Sequence, residues 1–221
     1  MTARAESAAL PRITARDLGA AFALAALGSL GALPATPAGP DPVATLAWIA
    51  LSAAPIGVGA GAIGLRAWPL APVIPALWMV VLTMVDAGSP RDLPTPGWAA
   101  LAWTGLFAVG FALGRRAPQR AYTLAASSFG ACALLAALPS GFWVFEQPWP
   151  PAYAARMLDL SPVTLLAECA GLDWLRHAAV YESAGTADID PELRSAYRGV
   201  LAGPASFLVG CAAVAIVRRR R

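Results

Sequence analysis

Charge is missing from this chain in blocks. No Asp, Glu, Lys, Arg or His occurs in residues 18–40, 42–65, 67–85, 93–114, 121–145 or 199–217. A helix rises 1.5 Å per residue, so about 20 residues cross a hydrocarbon core about 30 Å thick. Six such blocks predict an all-α polytopic membrane protein with six transmembrane helices. Short exoplasmic interfacial helices are expected between helices five and six. Only 13% of the 221 residues are charged and 58% are hydrophobic, against about 25% charged in soluble domains. One integral membrane domain, residues 1–221, uses up the chain: a cytoplasmic segment 1–17, the spans, an exoplasmic helical segment 146–198 and a cytoplasmic basic tail 218–221.

Orientation follows from the remaining charges. With the N-terminus cytoplasmic and six crossings, the inner segments carry eleven arginines against Glu6 and Asp17. The outer segments carry five arginines against eleven carboxylates. The split is +9 inside and −6 outside, which adds to the net +3. Positive charge near span ends sets topology, so both termini are expected on the cytoplasmic side. The basic balance is thus anchoring to a lipid bilayer and gives no reason to expect nucleic-acid binding. Residues 218–221, all arginine, stop transfer and can attract anionic headgroups. Residues 4–38 loosely resemble a secretory signal, but the long basic region and the crowded prolines favour keeping this segment as the first helix. All sixteen basic residues are arginine, and Ala, Gly and Pro abound. That composition points to a GC-rich bacterial genome and to the bacterial inner membrane.

Helix-packing signals are local. Gly57 and Gly61 form one GxxxG face and Gly110 and Gly114 another, and such faces let helices approach closely. Pro55 predicts a kink in the second helix. Trp98, Trp143, Trp149 and Trp174 fall near the outer boundary and Trp68 near the inner one, where amphipathic rings prefer to lie. In segment 146–198, Ser161-Pro162 reads as an N-cap followed by proline at the first helical position, and Gly171 as the stop. Asp173 would cap a second short helix and Asp190-Pro191 would open a third. These helices are expected to lie on the outer membrane face, apolar sides down.

The chemistry on offer is sparse. No acidic, basic or histidine residue lies in the membrane runs, which argues against a self-contained proton-coupled carrier. His177, the only histidine, has Glu168, Asp173, Arg176 and Glu182 near it in sequence. Asp173 and His177 would share a helical face at i and i+4. A structural zinc site wants about four Cys or His ligands, so no metal or cofactor is expected, and a surface histidine is the simpler account. Cys132, Cys169 and Cys211 show no pairing pattern. There is no phosphate-binding loop, nucleophile elbow or metalloprotease motif.

Six spans, both ends inside and short helices before the last span resemble the permease subunits of type-2 ABC exporters. Residues 158–168 look like their segment reading roughly Leu-Asn-Pro-Leu-Thr before a helix. Pro162 and Thr164 match, and Ser161 stands where asparagine is usual. The resemblance implies a non-catalytic, permease-like subunit in a homo- or hetero-oligomer, powered by a separate ATPase subunit. The family places a coupling helix between spans two and three, where this chain has only Arg66-Ala67-Trp68, so docking would fall to residues 2–17. Two other classes remain open. One is a scaffold or assembly subunit binding another membrane protein. The other is a membrane-embedded enzyme using Glu168, Asp173 and His177.

Overall fold

A computed structural model describes residues 13–29, 35–36, 39–40, 42–73, 77, 94–137, 151–171 and 199–219. Within them the chain forms α1 (Ala15–Ser29), β1 (Ala35–Thr36), β2 (Gly39–Pro40), α2 (Pro42–Ala62), α3 (Pro94–Arg116), α4 (Ala121–Ala137), α5 (Pro151–Leu160), α6 (Pro162–Ala170) and α7 (Gly199–Arg219). Single 3-10 turns occupy Trp68–Leu70 and Pro118–Arg120. The fold is all-helical apart from β1 and β2, a reversal in the Pro-rich turn after α1 that sets Ala35 against Pro40 and Thr36 against Gly39. Among the described residues, three helices are long and apolar enough to cross a membrane: 45–62 in α2, 97–116 in α3 and 199–219 in α7. Of the run 67–85, most lies outside the described residues, as do 138–145 of the fifth run.

Proline and charge mark the helix ends. α2, α3, α5 and α6 all begin on proline, whose missing N–H costs nothing where the first turn has no carbonyl to receive it. α1 begins with a reciprocal cap. The Asp17 N–H donates to Thr14 Oγ1 at 3.2 Å, and the Thr14 N–H donates back to Asp17 Oδ2 at 3.0 Å. The Thr14 hydroxyl adds a third bond, 2.7 Å, to that same oxygen, a capping box with aspartate in the glutamate position. These bonds, with the Arg66 N–H and the Arg66 charge as smaller contributions, hold the exposed Asp17 carboxyl below the usual carboxylate range. α3 ends on Arg115 and Arg116 and α7 on Arg218 and Arg219, cations at the negative ends of helix dipoles. Pro55 sits inside α2, which continues to Ala62.

α3 is the middle of the molecule, with α2 on one flank and α7 on another. Contacts along α2 and α3 rise together: Gly57 lies against Phe107, Gly61 against Phe111, Gly110 against Ala54 and Gly114 against Val58. In each case a Cβ on the glycine would strike a main-chain carbonyl oxygen of the other helix. Along α7, Gly203 meets Trp98 and Gly210 meets Gly105 and Ala108. α2, α3 and α7 are therefore mutually parallel. α1 runs the other way along α2, with Leu24 beside Gly59 and Trp48 Nε1 donating to the Leu27 carbonyl at 3.4 Å.

Small residues make this closeness possible. Ala50, Ala53, Ala60, Ala99, Ala102 and Ala108 fill the interior beside Trp103, Phe107 and Phe111. Lipid is as apolar as a helix surface, so contact between spans gains mostly dispersion and needs backbones brought near. The aromatic rings form a stack. Trp103 and Phe107 have centroids 5.5 Å apart, and Trp68 lies 5.0 Å from Phe111 and 6.5 Å from Phe107. The outward surface is apolar too: Leu201 is 69% exposed, Leu208 66% and Phe22 67%. Such a surface suits hydrocarbon and would be costly in water.

Candidate functional site

Among the described residues, two places bring non-core chemistry together, one at each end of the three parallel helices. The first is α6, at the end where α3 and α7 begin. Ser161 caps it, its side chain accepting from the Thr164 N–H at 3.3 Å. Pro162 occupies the first turn and Gly171, at φ 67°, ends the helix in the left-handed region, which a residue with a Cβ rarely adopts. Seven of its nine residues are buried, and it packs on α2, α3, α4, α5 and α7.

This placement corrects the expectation of a helix resting on the membrane face with one side down. Pro-Val-Thr-Leu-Leu-Ala-Glu-Cys-Ala carries one charge and several small side chains, so it has little polar surface to leave outside. α5 keeps the two-sided character, with Leu158 buried and Arg156 exposed.

Pro162 is buried at the first turn of α6, and Glu168 is half-buried near its end. The Glu168 main-chain carbonyl accepts the Gly171 N–H at 3.2 Å, and the α7 start, Gly199, packs on that same carbonyl. Asp173, Arg176 and His177 lie outside the described residues. Cys169 is buried beside Glu168 and its Sγ donates to the Gly199 carbonyl at 3.4 Å. Burial, with the Glu168 charge adding to it, pushes the thiol up to about 12 from 9.0. Thiolate, not thiol, is the nucleophile. Cys169 is therefore expected to resist iodoacetamide at neutral pH until the protein unfolds. Because the folded value is raised, the stabilisation is complete below pH 9 and is lost as pH rises toward about 12. Cys169→Ala should flatten the decline of stability across that window, measured by tryptophan fluorescence during denaturant titration.

The Thr164 hydroxyl is buried with no hydrogen-bond partner among the described residues. Removing an unsatisfied buried polar atom while keeping shape is neutral or stabilising. Thr164→Val should leave the midpoint of thermal unfolding unchanged or raise it by about 1 kcal/mol of stability, and a fall would show that the hydroxyl is bonded.

The second place is a cavity of about 250 Å³ at the opposite end, where α2, α3 and α7 finish. Arg66, Arg115 and Arg218 reach it from three separate segments, and Trp68, Phe111 and Val217 give it apolar walls. Gly64, at φ 65°, makes room for the Arg115 guanidinium, which a Cβ there would strike. Sequence reasoning treats these arginines as separate topology anchors. Their convergence appears only when the three helices are parallel and in register. Among the described residues, no group of three or more His, Cys, Asp or Glu side chains could hold a metal ion.

Comparison with known families, characterised proteins and solved structures finds no match. The site must be understood from its own geometry. The α6 end offers packing and an inert thiol. The arginine end offers positive charge beside hydrocarbon.

Proposed function

We propose that this chain is a non-catalytic, permease-like transmembrane subunit of an ABC-type export system, crossing the bacterial inner membrane six times with both termini cytoplasmic and drawing energy from a separate ATPase. The observation that carries the proposal is the parallel run of α2, α3 and α7, with α1 antiparallel to α2. Parallel neighbours in one chain need a return crossing between each pair. The charge-free run 67–85 lies where the chain must return between α2 and α3, and α4 begins the return after α3. The second support is the burial of α6 against the starts of α3 and α7, a short helix folded into the bundle just before the last span.

A second reading, a scaffold or assembly subunit, draws on a different observation. The backbone-to-backbone seating of α2 on α3 forms a rigid core, and residues 63–72 hold turns and one 3-10 turn, with no coupling helix among them. Purification of the full chain in mild detergent, followed by identification of its partners, separates the two. A co-purifying protein with a phosphate-binding loop supports the export subunit. A stoichiometric membrane partner without one supports the scaffold. The enzyme class fails if His177→Ala combined with Asp173→Ala leaves cellular function intact.

A further inference from the structure

We propose that the cavity between the ends of α2, α3 and α7 binds the phosphate of an anionic phospholipid, with its acyl chain along the apolar wall. Arg66, Arg115 and Arg218 line it from three separate segments, and guanidinium binds phosphate through paired N–H donors. At this end of the bundle the described residues carry seven arginines (16, 66, 115, 116, 120, 218 and 219) against Asp17 alone. A soluble anion would need no greasy surface, but here Trp68, Phe111 and Val217 line the same cavity. Charge and hydrocarbon meet at the depth where spanning helices end, which is headgroup level. α7 is mostly outward-facing along its length, so an acyl chain reaches the wall from the bilayer without crossing the core. Gly64 leaves the space that the Arg115 guanidinium occupies. A phosphate on a lipid and a free phosphate share the arginine chemistry, and the apolar wall assigns the site to the lipid.

The proposal rests on membrane location and not on the identity of any partner protein. Retention of the full chain in carbonate-washed membranes tests that location separately. The decisive measurement is thermal unfolding of the delipidated full chain in mild detergent, titrated with phosphatidylglycerol, phosphatidylcholine or inorganic phosphate. Phosphatidylglycerol is expected to raise the midpoint saturably, and the other two to leave it unchanged. Arg66→Gln and Arg218→Gln should each weaken the apparent affinity about fivefold, the value of one basic residue near an anionic surface. Arg120→Gln, on the same side of the bundle but off the cavity, should not. Val217→Trp fills the wall without changing charge, and should abolish the response while the lipid-free protein still unfolds cooperatively. An equal response to phosphatidylcholine overturns the proposal. So does an equal loss in Arg120→Gln, and so does an arginine-dependent shift from inorganic phosphate alone. A chain held in washed membranes that shows no response to phosphatidylglycerol overturns the lipid site and leaves the membrane assignment standing.

Discussion

Gly57→Ala and Gly110→Ala are each expected to destabilise the protein by about 3 kcal/mol, the upper end of overpacking costs. Two effects compete. Replacing a helical glycine by alanine gains about 0.5–1 kcal/mol from lost unfolded-state freedom. Against this, the new methyl meets the Phe107 carbonyl in one case and the Ala54 carbonyl in the other. A side chain could rotate away, but a main-chain carbonyl moves only if the whole helix moves, so the clash wins. Gly61→Ala and Gly114→Ala face the same obstacle one turn further along, at Phe111 and Val58. Pairing Gly57→Ala with Gly110→Ala should cost less than the two single changes added together, since one separation of α2 from α3 relieves both. The comparison is Gly130→Ala in α4, where a Cβ meets nothing within 4 Å and the change should be neutral or favourable. Unfolding followed by tryptophan fluorescence reads all six. Indifference of Gly57→Ala would mean that α2 and α3 do not touch.

Trp103→Ala carries the other large effect. The indole is 1% exposed, stacks on Phe107 and donates from Nε1 to the Ile49 carbonyl at 2.9 Å. Deleting a buried aromatic side chain costs about 3–5 kcal/mol. Trp103→Phe keeps a six-membered ring in the stack and removes the pyrrole ring with its N–H, so it loses only the hydrogen bond and part of the area. Interhelical hydrogen bonds in membranes average about 0.6 kcal/mol with a maximum near 1.7, so Trp103→Phe should fall near 1–2 kcal/mol. The gap between the two variants separates packing from hydrogen bonding at a single position. Equal losses would mean that the N–H, not the ring volume, is what the core needs.

How much of this was legible without coordinates differs from one feature to the next. The helical class was, because charge-free blocks leave the backbone no way to satisfy its polar groups in lipid except by helix or closed barrel. The bounds of α6 were also legible, because Ser161, Pro162 and Gly171 act through bonds four residues or fewer away. The seat of α6 was not. A nine-residue segment flanked by charged stretches reads as surface, and its burial depends on where α3 and α7 start, which no local signal records. GxxxG spacing says that some backbone can come near Gly57 and does not say which. The same holds for Arg66, Arg115 and Arg218. Each looks like an anchor at the end of a hydrophobic run, and their meeting point depends on the direction and register of three helices. For the runs 18–40, 67–85 and 121–145, helix or turn is described over part of the length only, so the count of six crossings stays with the proposal.

Because α2, α3 and α7 are parallel, no two of these three pair by a simple hairpin. Gly105 in α3 waits for Ser206 in α7, about a hundred residues later. During synthesis the α2–α3 pair can close early, but the other flank of α3 stays exposed until α7 emerges. Long-separation contacts of this kind slow folding and lengthen the life of incomplete forms. The nascent chain thus passes through a stage in which the Gly105 face is open to any helix with small residues, its own or another copy's. A chaperone or insertase that shields this groove would act there, late and on the half-built bundle.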